Sequence, residues 1–278
     1  MIFLKKKLSL VSMKKIVPKK SLWQNFLQDE KILTQIADAV ICENCCILEV
    51  WPGYWTLTKK LITKKPSKLH LVELDRDMIE SLESQIKSQE IDVEGVDFRM
   101  FHQDILTFTP AWENYKVIAN IPYYITSPIL FHFLYGVENP PEEMLILMQK
   151  EVGEKILWWK KEKGSVLSLG MKKKSIVRQI ISVPREAFYP QPKVDSVVIH
   201  FKIHDVYKDI SDEKFLNFLK LIFKNPRKTL KNNLLSWGIL KVSIEKVFTE
   251  FRFEPSLRSE DISLEVIMEM MYFLSTKN

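Results

Sequence analysis

Short apolar runs alternate with amphipathic stretches through the first two-thirds of this chain. Short strand-like runs rich in apolar residues lie at 46–50, 69–73, 96–101, 116–119 and 144–148. Apolar residues recurring every three or four positions predict helices at 29–40, 54–62, 78–86, 129–135 and 151–157. Strands that alternate with helices in this way form a parallel, doubly wound sheet. Two more strand-like runs, 176–183 and 196–203, have no obvious helix between them and predict an antiparallel edge.

The pattern changes after residue 205, where only helical periodicity remains, at 215–223, 230–235, 244–251 and 264–273. We therefore expect an α/β protein with a Rossmann-like doubly wound sheet in residues 18–205. Residues 206–278 should form a small all-helical domain. Residues 1–17 are basic and predict a disordered extension, with Met13 as an alternative start.

One turn is rich in polar and aromatic groups. The strand at 116–119 breaks into Asn120-Ile121-Pro122-Tyr123-Tyr124. Proline has no N–H to donate to a ladder and disfavours helical geometry in the residue before it, so this segment should be a turn at the carboxyl end of a strand. Open α/β sheets bind ligands at that end.

The first strand–helix turn contains Gly53, where doubly wound folds carry a nucleotide-binding loop, although tryptophans flank it. Glu73 ends the next strand, at the distance expected of a ribose ligand. Asp104 follows the third strand and is placed to accept from an adenine amine. From spacing alone, Glu73 is equally well an ordinary solvated carboxylate, and Asp104 a cap of a helix or turn.

Composition narrows the class of protein. The net charge of +6 suits a polyanionic partner without requiring one. Cys42, Cys45 and Cys46 crowd together and complete no zinc spacing, so we expect reduced thiols, no metal site and a cytoplasmic protein. No apolar run approaches the roughly 18 residues of a membrane span. Unusually, the chain has only 7 glycines, as many as its 7 tryptophans.

The ordered motifs between about Pro18 and Leu274 resemble those of the ribosomal RNA adenine N6-dimethyltransferases, a Rossmann-like family that depends on S-adenosylmethionine. The motifs that carry the resemblance are Gln24-Asn25-Phe26-Leu27, Glu49-Val50-Trp51-Pro52-Gly53, Val72-Glu73-Leu74-Asp75, Asn120-Ile121-Pro122-Tyr123, Gln149-Lys150-Glu151-Val152, Phe188-Tyr189-Pro190-Gln191-Pro192-Lys193-Val194-Asp195-Ser196, Arg227-Lys228 with Asn232-Asn233-Leu234, and Arg258-Ser259-Glu260-Asp261-Ile262-Ser263. Each motif is weak alone, but the ordered set is specific.

The resemblance implies a role for each matching position. The implied cofactor-binding residues are Asn25, Leu27, Trp51, Gly53, Glu73, Asp104 and Asn120. The implied catalytic residues are Asn120, Ile121, Pro122, Tyr123 and Phe188. In this scheme the Asn120 side chain and the Ile121 carbonyl accept from the adenine N6 amine, and the two aromatic rings stack on the flipped base. Without the resemblance, Tyr123 and Phe188 would be interpreted as residues that pack in the core.

The chain departs from the family at positions 23, 51 and 55, where the family has glycine and this sequence has tryptophan. A tryptophan at position 51 should obstruct the cofactor. We hypothesise that the source organism reads UGA as glycine and that the sequence was translated with UGA as tryptophan. Trp112, Trp158, Trp159 and Trp237 also occupy places where glycine would be unremarkable.

Basic residues cluster at several places, and each cluster is commonly just a solvated face. By the resemblance, Arg227, Lys228 and Lys231 lie on a helix that grips RNA phosphates. The implied function is dimethylation of two adjacent adenosines in a hairpin of small-subunit ribosomal RNA during ribosome assembly, by a monomer acting on the immature subunit. A resistance-type methylase of large-subunit RNA is one alternative. A non-catalytic RNA-binding assembly factor is another, if Trp51 and Trp55 are genuine.

Overall fold

A computed structural model describes residues 24–157 and 163–276 of the chain. The predicted basic extension, Trp23, Trp158 and Trp159 lie outside the described residues. The strands are β1 (Phe26–Leu27), β2 (Cys46–Val50), β3 (Lys68–Glu73), β4 (Asp97–His102), β5 (Tyr115–Asn120), β6 (Glu143–Gln149), β7 (Ser175–Val183), β8 (Phe188–Tyr189) and β9 (Ser196–Ile203).

Ten α-helices accompany these strands in the described part of the chain. They are α1 (Glu30–Asp38), α2 (Thr56–Thr63), α3 (Arg76–Lys87), α4 (Thr126–Phe131), α5 (Lys150–Leu157), α6 (Val166–Lys174), α7 (Asp212–Ile222), α8 (Leu230–Leu235), α9 (Lys241–Glu250) and α10 (Leu264–Thr276). The helix predicted at 129–135 begins earlier, at Thr126, and continues as a π-helix over His132–Gly136. No described helix has the length and apolar character needed to cross a bilayer.

The sheet has seven strands in the order β4-β3-β2-β5-β6-β9-β7. Neighbours from β4 to β6 are parallel, and β9 is antiparallel to both β6 and β7. The central parallel strands β2, β3, β5 and β6 are buried on both faces because helices cover both sides, which explains their apolar runs. The doubly wound prediction and its antiparallel edge are confirmed.

The structure adds three elements that the sequence pattern did not predict. Two are the short strands β1 and β8, which pair with each other as a separate two-stranded sheet. The third is α6, whose Leu169 and Met171 are buried in different cores. A helix buried on several sides shows no amphipathic stripe, so its periodicity is hidden.

The helices after residue 205 form a core of their own. This core includes Phe215, Leu219 and Ile244 together with Leu169 from α6. The ammonium group of Lys173, almost fully buried on α6, pairs with Asp212 at the start of α7. The C-terminal helices therefore pack directly on an element of the sheet region.

Candidate active site

The carboxyl ends of the central strands meet at one cleft. Register pairs Val50 of β2 with Val72 of β3 and with Ala119 of β5, which brings Glu73 and Asn120 to the same edge. The cleft has a volume of about 620 Å³. It is lined by Gln24, Asn25, Phe26, Trp51, Gly53, Glu73, Leu74, Asn120, Ile121, Pro122, Tyr124 and Phe188. The sequence predicted eight of these positions, Asn25, Trp51, Gly53, Glu73, Asn120, Ile121, Pro122 and Phe188, as site residues.

Asn120 is the last residue of β5, and its side chain is partly buried in the cleft. Its Nδ2 donates to the backbone carbonyl of Asn25 at 3.4 Å. With Nδ2 directed to Asn25, Oδ1 is the acceptor that this side chain offers to a ligand. Pro122 follows in an extended conformation and the chain then enters a 3₁₀ turn, as the sequence predicted. The Tyr123 side chain lies outside the described part of the structure, and its stacking role stays a prediction.

The segment that carries Asn25 and Leu27 lies across the cleft. Leu27 pairs with Phe188 in the β1–β8 ladder, and its carbonyl accepts from the Thr56 hydroxyl at 3.2 Å. Gln24 donates its side-chain amide to Asp75 at 3.0 Å. Leu27 itself lines a smaller cavity, about 440 Å³, that shares residues with the cleft. These contacts hold the segment across the cleft, and its role as a lid over a cofactor stays a prediction.

The two predicted acidic ligands differ in position. Glu73 lines the cleft and is 5% exposed, and its Oε1 accepts the backbone N–H groups of Leu74 and Asp75, both at 2.8 Å. Asp104 is not among the side chains that line the cleft. Its Oδ1 accepts the N–H of Leu106 at 3.0 Å and caps a 3₁₀ turn. The capping interpretation thus accounts for one Asp104 oxygen, and the adenine role stays a prediction.

Glu49 is a buried carboxyl group beneath the first loop, and no site role was predicted for it. It lies in β2 and lines the smaller cavity. Burial raises its pKa to about 8, with the nearby Glu73 carboxylate adding to the rise and Thr58 opposing it. At neutral pH the group is therefore mostly protonated. The signal was visible in the sequence as the one charged residue in an otherwise apolar strand.

The loop after β2 has three left-handed residues. Trp51 has φ of 52°, Gly53 of 61° and Trp55 of 64°. Left-handed geometry is routine for glycine, but it is a genuine outlier for a residue as bulky as tryptophan. Trp51 lines both cavities, whereas Trp55 caps α2 without a side-chain bond. The Trp55 indole is 1% exposed, and its Nε1 has no hydrogen-bond partner among the described residues.

The other described tryptophans lack this geometry. Trp112 and Trp237 are not among the left-handed residues, and the left-handed position after α8 is Gly238, at φ of 79°. Trp237 is also 53% exposed. Within 24–157 and 163–276, the backbone thus favours glycine at the two tryptophans of the cofactor loop and at neither of the others.

Two constraints act on Gly53, a left-handed backbone and a close approach to the Phe26 ring, and a comparison with Gly95 separates them. A Cβ on Gly53 would lie 2.8 Å from the Phe26 ring, whereas one on Gly95, at φ of 81°, would meet no atom within 4 Å. We expect Gly95→Ala to cost about 1–2 kcal/mol in unfolding free energy from backbone strain alone. Gly53→Ala should cost at least about 1 kcal/mol more, because the Phe26 ring, stacked on Tyr54, must also move. Denaturant unfolding of both variants measures the difference, and equal losses would contradict the close approach.

The predicted RNA-binding residues lie at the start of α8. Arg227 and Lys228 are exposed and precede the helix, and only Lys231 lies on it, so the prediction that one helix carries all three is wrong. The helix begins at Leu230 because the Thr229 hydroxyl accepts the Asn232 N–H at 3.3 Å.

The turn before α8 is fixed from below by a buried amide. Asn233 accepts the Asn225 N–H at 3.2 Å and donates to the carbonyls of Ile222 and Asn225 at 2.9 and 3.2 Å. The Ser259 hydroxyl also donates to the Ile222 carbonyl, at 2.6 Å. The two basic side chains therefore project from an ordered turn, and their role in RNA binding stays a prediction.

The fold and the sequence both have known counterparts. A dimethyladenosine transferase from Plasmodium falciparum covers 91% of this chain and 98% of its own, with TM-score 0.75 and 22% identity. The 23S rRNA methyltransferase ErmE covers 90% and 99%, with TM-score 0.69 and 22% identity. These likenesses show a shared Rossmann-like methyltransferase fold with a helical C-terminal region.

Sequence relatives extend the likeness beyond the fold. Ribosomal RNA small subunit methyltransferase A of Mycoplasma mobile is 36% identical over 261 residues, which is 92% of this chain and 98% of that protein. The protein of the same name from Fusobacterium nucleatum is 34% identical over 266 residues, 91% and 96% of the two chains. The ribosomal RNA adenine dimethylase family matches residues 17–255. With most of its length matched in this way, the chain belongs to the ribosomal RNA adenine dimethylase family.

Proposed function

We propose that this protein transfers methyl groups from S-adenosylmethionine to the N6 amines of two adjacent adenosines in a small-subunit ribosomal RNA hairpin. The observation that carries the proposal is the shared cleft of Asn120, Glu73 and Phe188 at the carboxyl edge of the sheet. The cleft contains an amide that can accept hydrogen bonds, a carboxylate at the position expected of a ribose ligand, and an aromatic ring.

The cofactor, when bound, supplies an electrophilic methyl group on a sulfonium. Glu73, buried at the end of β3, fits the ribose, and Asn25, across the cleft, fits the methionine part. Trp51 does not fit, because its indole lines the volume that the cofactor would fill. Asn25, Glu73 and Asn120 thus share the cleft, whereas Asp104 does not line it and Trp51 intrudes on it.

The acceptor groups suit an amine that is a poor nucleophile. The adenine N6 lone pair is delocalised into the ring. Oδ1 of Asn120 and the Ile121 carbonyl would each accept a hydrogen bond from an N–H group of this amine and so favour a pyramidal nitrogen. Phe188 would stack on one face of the flipped base, and Tyr123 on the other. This is catalysis by positioning and electrostatics, without a general base in contact with the amine.

Methylation mapping tests the proposal. Purified protein, S-adenosylmethionine and either small-subunit or large-subunit ribosomal RNA should give dimethyladenosine at two adjacent positions of the small-subunit RNA only. The C-terminal motifs that include Arg227 and Asp261 favour this RNA over the large-subunit substrate of a resistance-type methylase. Modification confined to the large-subunit RNA would overturn the proposal.

A non-catalytic RNA-binding assembly factor is the second candidate, and Trp51 and Trp55 are the observation that favours it. The retained Glu73 and Asn120 in the cleft oppose it. A protein that binds small-subunit RNA with no measurable affinity for the cofactor in either form of the loop would establish this alternative.

The partner and the organisation of the chain belong to the same proposal. We propose that the protein acts as a cytoplasmic monomer on ribosomal RNA in the immature small subunit. Residues 18–205 form the methyltransferase domain, and residues 206–278 form the helical RNA-binding domain. The C-terminal helices form a core of their own, which Leu169 of α6 joins, and they carry exposed basic residues. Both features support this division.

Neutralising the turn before α8 should separate RNA binding from cofactor binding. Arg227→Ala with Lys228→Ala removes two phosphate-contacting charges, so the slope of log affinity against log salt should fall by about 1.4–1.8. Cofactor affinity should not change. The matched control is Lys68→Ala with Lys202→Ala, since both lysines lie at the opposite, amino edge of the parallel strands. An equal loss in the control, or a loss of cofactor binding, would refute the assignment.

A further inference from the structure

Two large apolar side chains are exposed at the mouth of the cleft. Tyr124 is 59% exposed and Leu74 is 39% exposed, and both line the cleft beside Pro122 and Phe188. Single exposed apolar residues need no explanation, but an aromatic ring at the rim of a substrate cleft is placed to contact a ligand. Folding does not account for the position of the Tyr124 ring, because so much of it faces solvent.

The backbone beneath this ring is held firmly. Tyr124 lies in the 3₁₀ turn Tyr123–Ile125, where the Ile125 N–H donates to the Pro122 carbonyl at 3.2 Å. Ile121 and Ile125, on either side, are buried in the core. The helix α4 follows at once and fixes the direction of the chain. The backbone of Tyr124 is therefore ordered before any ligand binds, and the flat ring is presented at the rim of the cleft.

We propose that Tyr124 is a stacking platform for the nucleotide next to the target adenosine. The inference rests on the proposed function, in which the RNA carries two adjacent adenosines. When one base enters the cleft, its neighbour in the chain stays at the mouth, where the Tyr124 ring and Leu74 lie. Base–aromatic stacking is sequence-tolerant, so the platform can hold whichever neighbour the RNA presents. Tyr124 is thus a positioning residue that sets the register of the RNA.

A binding cycle tests the platform. The RNA is a hairpin with two adjacent adenosines, compared with hairpins that lack the base on the 5′ or the 3′ side of the target. Base–aromatic stacking contributes about 1–3 kcal/mol, so Tyr124→Ala should weaken hairpin binding about 5- to 150-fold. One of the two abasic hairpins should weaken binding by the wild-type protein to a similar extent. Tyr124→Ala should lose nothing further on that hairpin, because the stacking partner is already gone.

Two more variants separate stacking from simple bulk. Tyr124→Phe keeps the ring and should bind like the wild type, whereas Tyr124→Leu keeps apolar bulk without a flat face and should bind like Tyr124→Ala. Thermal unfolding should be unchanged in all three, since the side chain is largely exposed.

Each failure has its own meaning. Losses that add on both abasic hairpins, or unaltered binding by Tyr124→Ala, would overturn the platform and leave the proposed function standing. A wild-type protein without measurable affinity for the small-subunit hairpin would overturn the proposed function, and the platform with it.

Discussion

Replacing Trp51 and Trp55 together with glycine should raise the affinity for S-adenosylmethionine by at least about 100-fold, or about 2.7 kcal/mol. Trp51 lines both the cleft and the smaller cavity, so removing its indole opens the volume under the loop. Both positions have left-handed backbones, at φ of 52° and 64°, which glycine adopts without the cost that a larger side chain incurs.

Isothermal titration calorimetry of the two forms measures this effect. The matched control is Trp237→Gly, which removes an exposed indole from a position without left-handed geometry and should leave cofactor affinity unchanged. If the tryptophan form already binds the cofactor tightly, the steric argument at Trp51 is wrong.

The gene provides an independent check of why tryptophan stands at these positions. UGA codons at both positions are what the recoding hypothesis requires, and a peptide mass spectrum of the native protein would then show whether glycine stands there. UGG codons would reject that hypothesis. A genuine Trp51 that also fails to bind cofactor would favour the non-catalytic assembly factor.

Most of the fold was predictable because the central strands of the sheet are buried on both faces. Strands such as Cys46–Val50 and Ser196–Ile203 stand out as apolar runs, and their predicted bounds agree with the structure. The helix α6 was not predictable in the same way, because it is enclosed by two cores and its apolar residues do not form a stripe. The strands β1 and β8 are too short to show any period.

In the candidate site, the positions of residues that end a strand were predictable. Glu73 and Asn120 follow directly from the strand pattern, since parallel strands bring their carboxyl ends to a common edge. No site role was predicted for Glu49, although it is visible as the one charged residue of an apolar strand, and Tyr124 was predicted only as part of the turn. The burial of Glu49 and the exposure of Tyr124 depend on the three-dimensional structure. Asp104 shows the reverse case, since its spacing fits a ligand while its observed bond is a cap.

Asn120→Ala should lower the rate of methyl transfer about 100- to 1,000-fold, the size of loss expected when one preorganised polar group at a reacting centre is removed. The measurement uses whichever protein binds the cofactor, the one with tryptophan or the one with glycine at positions 51 and 55. RNA affinity should stay within about twofold, because in the proposed function the exposed basic turn before α8, and not this amide, supplies the phosphate contacts. Cofactor affinity should fall modestly, since the Nδ2 contact that holds Asn25 across the cleft is also lost.

Single-turnover kinetics with saturating RNA separates the transfer step from binding. The matched control is Asn139→Ala, at the amino edge of the sheet. The Asn139 backbone carbonyl accepts a hydrogen bond from the Tyr115 hydroxyl, and the substitution keeps that carbonyl. That variant should transfer methyl groups at the wild-type rate. If Asn120→Ala instead loses RNA affinity while its single-turnover rate is preserved, Asn120 binds the base without assisting the reaction, and the acceptor mechanism proposed for this cleft is wrong.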